Sequence, residues 1–320
     1  MKKTELLNEH IKRIDFAVQK GLAINQVQWE PIKLLHGGLS GAYTYLIQVD
    51  DRFYVIKLEK LDQQDVDLVR YFSVIELASQ QTVSPTVYFC DASHGVILMQ
   101  YIESKPRPQT SIESIKEVAA LLRKIHNGPA FPEWKSVFEI LDHFYKKLSD
   151  DYQKTDFIQH CMQNLISMQI KLSDPADIRP SHCDLNPSNV LFDGQQLYLV
   201  DWQAASPQSF YFDLACWANW FYFYNEDLCQ SLLKEYLERL PNRDENEKYT
   251  LMRQFVNIYY GIGFIAIASQ GEVKLPPLSS DEIASLSSYP RFMQSIGQGK
   301  VNLSEPRTQQ QFGYSLMNTV

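Results

Sequence analysis

The hydrophobic pattern of this chain changes character after about one hundred residues. Within the first hundred, five short runs rich in β-branched and aromatic residues are divided by turn residues, and one helical pattern lies between the third and fourth runs. Such runs predict strands, whereas the three- and four-residue spacing that dominates the rest predicts helices. We therefore expect an α+β protein with an antiparallel sheet followed by a larger helical part. The predicted strands are 32–35, 43–49, 53–58, 86–90 and 96–100.

Two further segments define the expected domain organisation. An amphipathic helix is predicted over residues 4–20, before the first strand. Residues 103–108, Glu-Ser-Lys-Pro-Arg-Pro, form a stiff polar connector of the kind that separates lobes. We predict an N-terminal lobe over 1–101 and a C-terminal lobe over 102–320, with a ligand cleft between them.

Composition narrows the classes of function. The 320 residues carry a net charge of -8, which disfavours a nucleic-acid-binding surface because such a surface needs positive potential. The five cysteines show no CxxC pair and the N-terminus lacks an apolar signal segment, so we expect a cytoplasmic protein. No apolar stretch long enough to span a membrane and no obligate protein partner are indicated. The oligomeric state is not predicted.

A polar segment interrupts the helical pattern between residues 180 and 202. Asp184 and Asn189 are followed by two apolar runs around Asp193-Gly194, and then by Asp201. An Asp-Gly turn between apolar runs predicts a hairpin, which would bring Asn189 and Asp201 together although they are 12 positions apart. Their oxygens suit Mg²⁺, and Asp184 would stand near enough to address a nucleophile.

The same segment resembles a known family. His182, Asp184 and Asn189 have the spacing H-x-D-x-x-x-x-N, and Asp201-Trp202 follows. This pattern is similar to that of the aminoglycoside phosphotransferase and choline kinase family, which is related to protein kinases. The resemblance implies a protein-kinase-like bilobal fold and an ATP-dependent kinase that uses Mg²⁺. It extends over nearly the whole chain, through the glycine-containing loop 35–40, Lys57, the linker 100–103 and Phe212-Asp213-Leu214-Ala215.

The resemblance also implies individual roles. Asp184 would orient the acceptor hydroxyl and accept its proton, while Asn189 and Asp201 would bind Mg²⁺. Lys57 would contact the α- and β-phosphates. Read without the family, Asp184 and Asn189 are ordinary turn residues, and Lys57 is a lysine that protects a sheet edge.

The two lobes have separate tasks under this resemblance. The N-terminal lobe would bind the nucleotide, and the C-terminal lobe would carry out catalysis and bind the acceptor. His182 and Asp213 would support the catalytic loop through hydrogen bonds. The residues expected at the nucleotide are Gly38, Leu39, Ser40, Lys57, Gln100 and Ile102.

One feature of the family is hard to place in this sequence. Relatives have a helix acid that pairs with the strand lysine, here Lys57. Glu76 and Asp67 are the two candidates, yet the spacing in relatives would put the acid nearer Arg70 or Tyr71.

The acceptor is predicted only as a class, a small polar molecule that bears an amine. A choline- or ethanolamine-like amino alcohol comes first, because the aromatic run 217–224 can offer π-faces to a cation, although most of that run should be core. Alternatives are an aminoglycoside or thiamine kinase, and a nucleotide-binding module without catalysis. ATP or GTP preference and the number of metal ions stay open. The expected pocket residues are Trp202, Trp217 and Trp220.

Overall fold

The computed structural model describes residues 3–24, 28–35, 41–61, 66–107, 110–223, 225–271 and 274–319. The chain forms two compact units. The first comprises Met1–Pro108, Arg123–Pro132 and Asp184–Ala205, and the second comprises Gln109–Leu122, Glu133–Cys183 and Ser206–Val320. The assignment of nucleotide and acceptor binding to lobes divided at residue 101 stays a prediction.

The first unit contains a five-stranded antiparallel sheet with the strand order β1-β2-β3-β5-β4. Strands β2 (Tyr43–Val49) and β3 (Arg52–Leu58) form a hairpin, in register from Tyr43 opposite Leu58 to Val49 opposite Arg52. The fold class and all five strands are confirmed. The strands are β1 (Glu30–Leu35), β2 (Tyr43–Val49), β3 (Arg52–Leu58), β4 (Val87–Asp91) and β5 (Val96–Gln100).

The leading helix α1 (Asn8–Gly21) packs on this sheet. Ile14, Ala17 and Val18 have no exposed surface and belong to one core with sheet residues, a burial worth roughly 1.5–3 kcal/mol for each large side chain. Arg13 fixes the helix further, because its Nη2 donates to the carbonyl oxygens of Glu59 at 2.7 Å and Gly95 at 2.6 Å. The helix begins at Asn8, later than the predicted start.

Helix α2 (Leu68–Gln80) connects the segment 184–205 to the sheet's unit. The Arg70 guanidinium donates to the backbone carbonyls of Gln203 and Ala205. The backbone N–H of Leu199 donates to the carbonyl of Val83 at 2.8 Å. These bonds explain why a stretch so distant in sequence folds with the N-terminal sheet. The segment's own strands are β7 (Val190–Phe192) and β8 (Leu197–Leu199).

The second unit is mainly helical. Its small sheet pairs β6 (Ile178–Ser181) with β9 (Ser206–Ser209). Helix α3 (Ile112–His126) begins in this unit and ends in the first. The remaining helices are α4 (Val137–Lys147), α5 (Asp150–Gln153), α6 (Asp156–Leu172), α7 (Phe210–Trp217), α8 (Glu226–Leu237), α9 (Arg243–Ser269), α10 (Ser280–Ala284), α11 (Tyr289–Gly297) and α12 (Pro306–Met317).

Helix α9 is the central element of the second unit and contacts α4, α6, α7 and α12. By length and composition alone it could cross a membrane, but 72% of its most apolar window is buried inside the protein. That degree of burial is typical of a core helix in a globular protein. The expected cytoplasmic location stays a prediction.

Helices α9 and α12 approach closely at two glycines. A Cβ atom on Gly313 would lie 2.6 Å from the Gly261 carbonyl oxygen, and a Cβ on Gly261 would lie 2.8 Å from the Gly313 carbonyl oxygen. We expect Gly313→Ala to lower the free energy of unfolding by about 1–3 kcal/mol, since overpacking forces the helices apart. Chemical denaturation measures this. Gly297→Ala is the matched control, because nothing lies within 4 Å of its Cβ position. Equal stability of the two variants would contradict the close packing.

Candidate active site

The hairpin predicted around Asp193-Gly194 is confirmed. Strand β7 pairs with β8, and the Val200 N–H donates to the Asn189 carbonyl at 3.0 Å. Asp193 closes the turn by accepting from the backbone N–H groups of Gln195 and Gln196, and Gly194 has the positive φ of 104° that suits glycine. The ladder therefore sets Asn189 beside the residue that precedes Asp201.

Asp184 and Asn189 are joined directly. The Asn189 Nδ2 donates to both the carbonyl and the Oδ2 of Asp184, each at 2.9 Å. Asn186 Nδ2 donates to the other Asp184 carboxylate oxygen at 3.0 Å. Since the Asn189 amide nitrogen is directed at Asp184, the Asn189 side-chain oxygen is available to a further ligand. Ser188 Oγ lies 3.5 Å from that oxygen.

Lys57 is buried among polar groups. Its Nζ lies 2.9 Å from Glu59 Oε1, 3.1 Å from Asp201 Oδ1 and 3.4 Å from the Tyr71 hydroxyl. Burial alone would lower the pKa of Lys57, but the two carboxylates outweigh it and hold that pKa well above its ordinary value. The side chain is therefore a fixed positive charge. This environment differs from that of a lysine protecting a sheet edge, which keeps its ammonium in water.

The partner of Lys57 corrects an expectation. Neither helix candidate fills that place: Asp67 caps α2 by accepting from the Arg70 N–H at 2.9 Å, and Glu76 is exposed beside Cys90. Burial and the adjacent Glu76 raise the pKa of Cys90 to about 12. The acid that meets Lys57 is Glu59, immediately after β3.

The family resemblance did not predict Glu59, because relatives place this acid on a helix. The two-residue spacing from Lys57 was the available signal, since alternate residues of a strand share a face.

Asp213 supports the loop that precedes Asp184. It has no exposed surface, and its two carboxylate oxygens accept from the backbone N–H groups of His182 at 2.8 Å and Cys183 at 2.9 Å. The His182 side chain is also fully buried. This geometry suits the loop-supporting roles expected of both residues, which stay predictions.

Two residues of the site have left-handed backbones. Cys183 and Asp201 each have φ of 64°. This region is costly for residues with a Cβ, less so for Asp and Asn, and residues held there tend to occur at functional sites. Cys183 directly precedes Asp184, the predicted catalytic residue, and Asp201 is itself a predicted Mg²⁺ ligand.

The expected nucleotide residues are only partly described. Gly38, Leu39 and Ser40 lie outside the described residues. Gln100 ends β5 and exchanges backbone and side-chain hydrogen bonds with Thr86, while Ile102 is 7% exposed. Nucleotide binding by these residues stays a prediction.

The three tryptophans expected at the acceptor are largely buried. Trp202 has no exposed surface and donates from Nε1 to the Leu199 carbonyl at 3.0 Å. In the second unit, Trp217 is also fully buried and stacks on Phe221, whereas Trp220 is 6% exposed and meets Tyr260 edge to face. Packing in the core accounts for the positions of Trp202 and Trp217. That any of the three tryptophans lines an acceptor pocket stays a prediction.

The fold and this arrangement define a class of protein. A small antiparallel sheet with a buried, carboxylate-paired lysine, followed by a helical unit, is the architecture of protein-kinase-like phosphotransferases. Residues 31–249, more than half of the chain, match the model of the phosphotransferase enzyme family. The chain belongs to that family and is a phosphotransferase of the kinase type.

Several of the proteins that are similar to this chain carry the name LicA. Protein LicA of Haemophilus influenzae is 27% identical over 134 residues, which are 39% of this chain and 49% of LicA, so this chain spans about half the length of that curated relative. The crystal structure of choline kinase LicA from Streptococcus pneumoniae has a TM-score of 0.64 at 19% identity, covering 90% of this chain and 99% of the other. LicA in complex with AMP has a TM-score of 0.63 at 19% identity, covering 82% and 91%. The structural matches show the common fold.

The Asp213 contacts generate a test. In Asp213→Asn the new amide nitrogen would face one of two backbone N–H donors, so a buried donor loses its acceptor. We expect the free energy of unfolding to fall by about 1–3 kcal/mol, measured by chemical denaturation. The control is Asp142→Asn, an exposed acid paired with Lys146, which should change stability by less than about 0.5 kcal/mol. Equal effects would show that the buried contacts are unimportant.

Proposed function

We propose that this chain transfers the γ-phosphate of ATP to a hydroxyl of a small, amine-bearing molecule, with a choline- or ethanolamine-like amino alcohol as the first acceptor class. The observation that carries the proposal is that Lys57, Asp184, Asn189 and Asp201 all belong to one compact unit and are joined in pairs by direct contacts. The names of the LicA relatives support the acceptor class, and the AMP complex supports an adenine nucleotide.

The donor set fits Mg²⁺. Asn189 offers its side-chain oxygen, and Asp201 has a side chain that is 24% exposed, with one oxygen on Lys57. Hard oxygen donors in small number suit Mg²⁺, because this ion is usually completed by water and substrate phosphates. When bound, it supplies charge neutralisation for the phosphates.

The chain's own residues would divide the remaining work. Asp184, held at both carboxylate oxygens by asparagine amides, would orient the acceptor hydroxyl and take its proton. Lys57 would present its fixed positive charge to the nucleotide phosphates. Catalysis of this kind depends on positioning and electrostatics more than on covalent chemistry.

Recognition of the acceptor amine is proposed for the second unit. Glu226 is a weak candidate for it, because its Oε2 already accepts from Arg253 Nη1 at 2.7 Å. Trp220 lies next to Tyr260, with ring centroids 5.2 Å apart and the two rings edge to face. The contacts favour aromatic recognition of a single ammonium group.

The acid roles are tested by two isosteric variants. Asp184→Asn should lower kcat by about 10²–10⁴-fold while nucleotide affinity is retained, because only proton acceptance is lost. Asp201→Asn should lower turnover and also weaken Mg²⁺-dependent nucleotide binding, measured by calorimetry. Melting temperatures show whether both variants are folded. Asp142→Asn is the control for an exposed acid outside the proposed site, and it should keep normal turnover. Near-normal turnover in Asp184→Asn would refute its role.

The acceptor class is tested by measuring ADP release over amino alcohols, aminoglycosides, thiamine and sugars. We expect turnover with choline or ethanolamine, and a response to aminoglycosides alone would refute this acceptor class. With the acceptor that proves active, Trp220→Leu should raise the KM for that acceptor by about 2- to 30-fold and leave the KM for ATP unchanged. This factor corresponds to the loss of a cation–π contact worth about 0.5–2 kcal/mol. Asp227→Asn is the control for a nearby exposed acid. If Trp220→Leu leaves the acceptor KM unchanged, the pocket lies elsewhere.

A further inference from the structure

Glu59 is a buried acid that no expected role accounts for. Its exposed fraction is 1%, one carboxylate oxygen lies 2.9 Å from Lys57 Nζ, and Oε2 has no hydrogen-bond partner among the residues that the structure describes. A buried carboxylate is costly unless a positive charge compensates it. The position of Glu59 is therefore explained by Lys57.

The backbone of Glu59 is fixed from two directions. Its N–H donates to the Gly95 carbonyl at 2.7 Å, and its carbonyl accepts from Arg13 Nη2 at 2.7 Å. A second bond from Arg13 to Gly95, at 2.6 Å, closes this small network. The Glu59 carboxylate is thus held in place by the leading helix and the turn before β5.

Lys57 has two carboxylate neighbours that differ in accessibility. Glu59 is sealed inside the protein, whereas the Asp201 side chain is 24% exposed. Helix α2 contributes no acid here and places the Tyr71 hydroxyl 3.4 Å from the ammonium. Burial raises the pKa of Tyr71, so this hydroxyl is neutral and cannot balance the lysine charge.

We propose that Glu59 is a positioning residue that anchors Lys57 from the position directly after strand β3, so that Asp201 stays available for the metal ion. The inference rests on the roles proposed above for Lys57 and Asp201. Without Glu59, Asp201 would be the one carboxylate left among the described neighbours of the lysine, and the ammonium would compete with the metal for it. Glu59 takes the task that the family resemblance gives to an acid on the helix.

The test is Glu59→Gln, with Glu76→Gln as the matched control for an exposed acid of α2. We expect Glu59→Gln to raise the Mg²⁺ concentration for half-maximal activity by about tenfold and to lower kcat at saturating Mg²⁺ by a similar factor, the size of one 1.4 kcal/mol interaction. Calorimetric titration of nucleotide at several Mg²⁺ concentrations gives a readout independent of turnover and should show the same shift. Glu76→Gln should match the wild type in each measurement.

A merely structural Glu59 would give a different result. The variant would then melt at a lower temperature with an unchanged Mg²⁺ requirement and unchanged kcat, which would overturn the proposal. If Glu59→Gln does not fold, Glu59→Asp is the second variant. It keeps the negative charge, but its side chain is one methylene shorter, so the carboxylate lies farther from Lys57. Its Mg²⁺ requirement should exceed that of the wild type, and an unchanged requirement would likewise overturn the proposal.

Lys57→Met separates this inference from the proposed function. If Lys57→Met and Asp184→Asn both keep normal turnover, the proposed function itself fails. If they lose turnover while Glu59→Gln keeps the wild-type Mg²⁺ dependence, the function stands and only the role of Glu59 is lost. In the Lys57→Met background, Glu59→Gln should leave the Mg²⁺ dependence unchanged, because its effect passes through the lysine.

Discussion

The buried charge of Lys57 is the constraint on which the arrangement of the first unit depends. An ammonium group with so little access to water needs carboxylates within contact distance. Lys57 has one directly after its own strand and another 144 residues away in sequence. That second carboxylate belongs to the segment 184–205, which folds with the sheet although it follows long helical stretches. Buried ion pairs contribute little net stability, but an unpaired partner is strongly unfavourable. The lysine therefore specifies which segment must lie beside β3.

The surrounding bonds share this task. The Arg70 guanidinium donates to the carbonyls of Gln203 and Ala205, and the Leu199 N–H on the hairpin donates to the Val83 carbonyl. Each is a contact between the helix region of the first unit and the segment that carries Asp201. The left-handed backbone at Asp201 is thus held by contacts on both sides, as residues in costly conformations require.

Local sequence patterns were sufficient for much of the fold. The strands, the Asp-Gly hairpin and the proximity of Asn189 to the residue before Asp201 follow from alternation, turn chemistry and ladder pairing, all of which act over a few residues. The expectation that a helix acid pairs with Lys57 was wrong, because the pairing depends on which side chain reaches the ammonium in three dimensions.

The tryptophans illustrate the same limit. The sequence of an aromatic run does not reveal whether its rings pack in a core or face a ligand. In the structure Trp217 is completely buried, whereas Trp220 is slightly exposed. The pairing of Glu226 with Arg253 likewise joins residues 27 positions apart and has no local signature. The sequence therefore predicted the framework of the site better than the neighbours of each side chain.

The left-handed backbone at Asp201 bears on how a gene for this chain could diverge. Asn tolerates that conformation about as well as Asp, so a drift from Asp to Asn would cost the backbone little. Glu59 would still neutralise Lys57, so the same drift would leave no unbalanced charge in the interior. If Asp201 holds the metal ion as proposed, such a descendant would lose phosphoryl transfer and keep a folded scaffold on which selection for a new role could act.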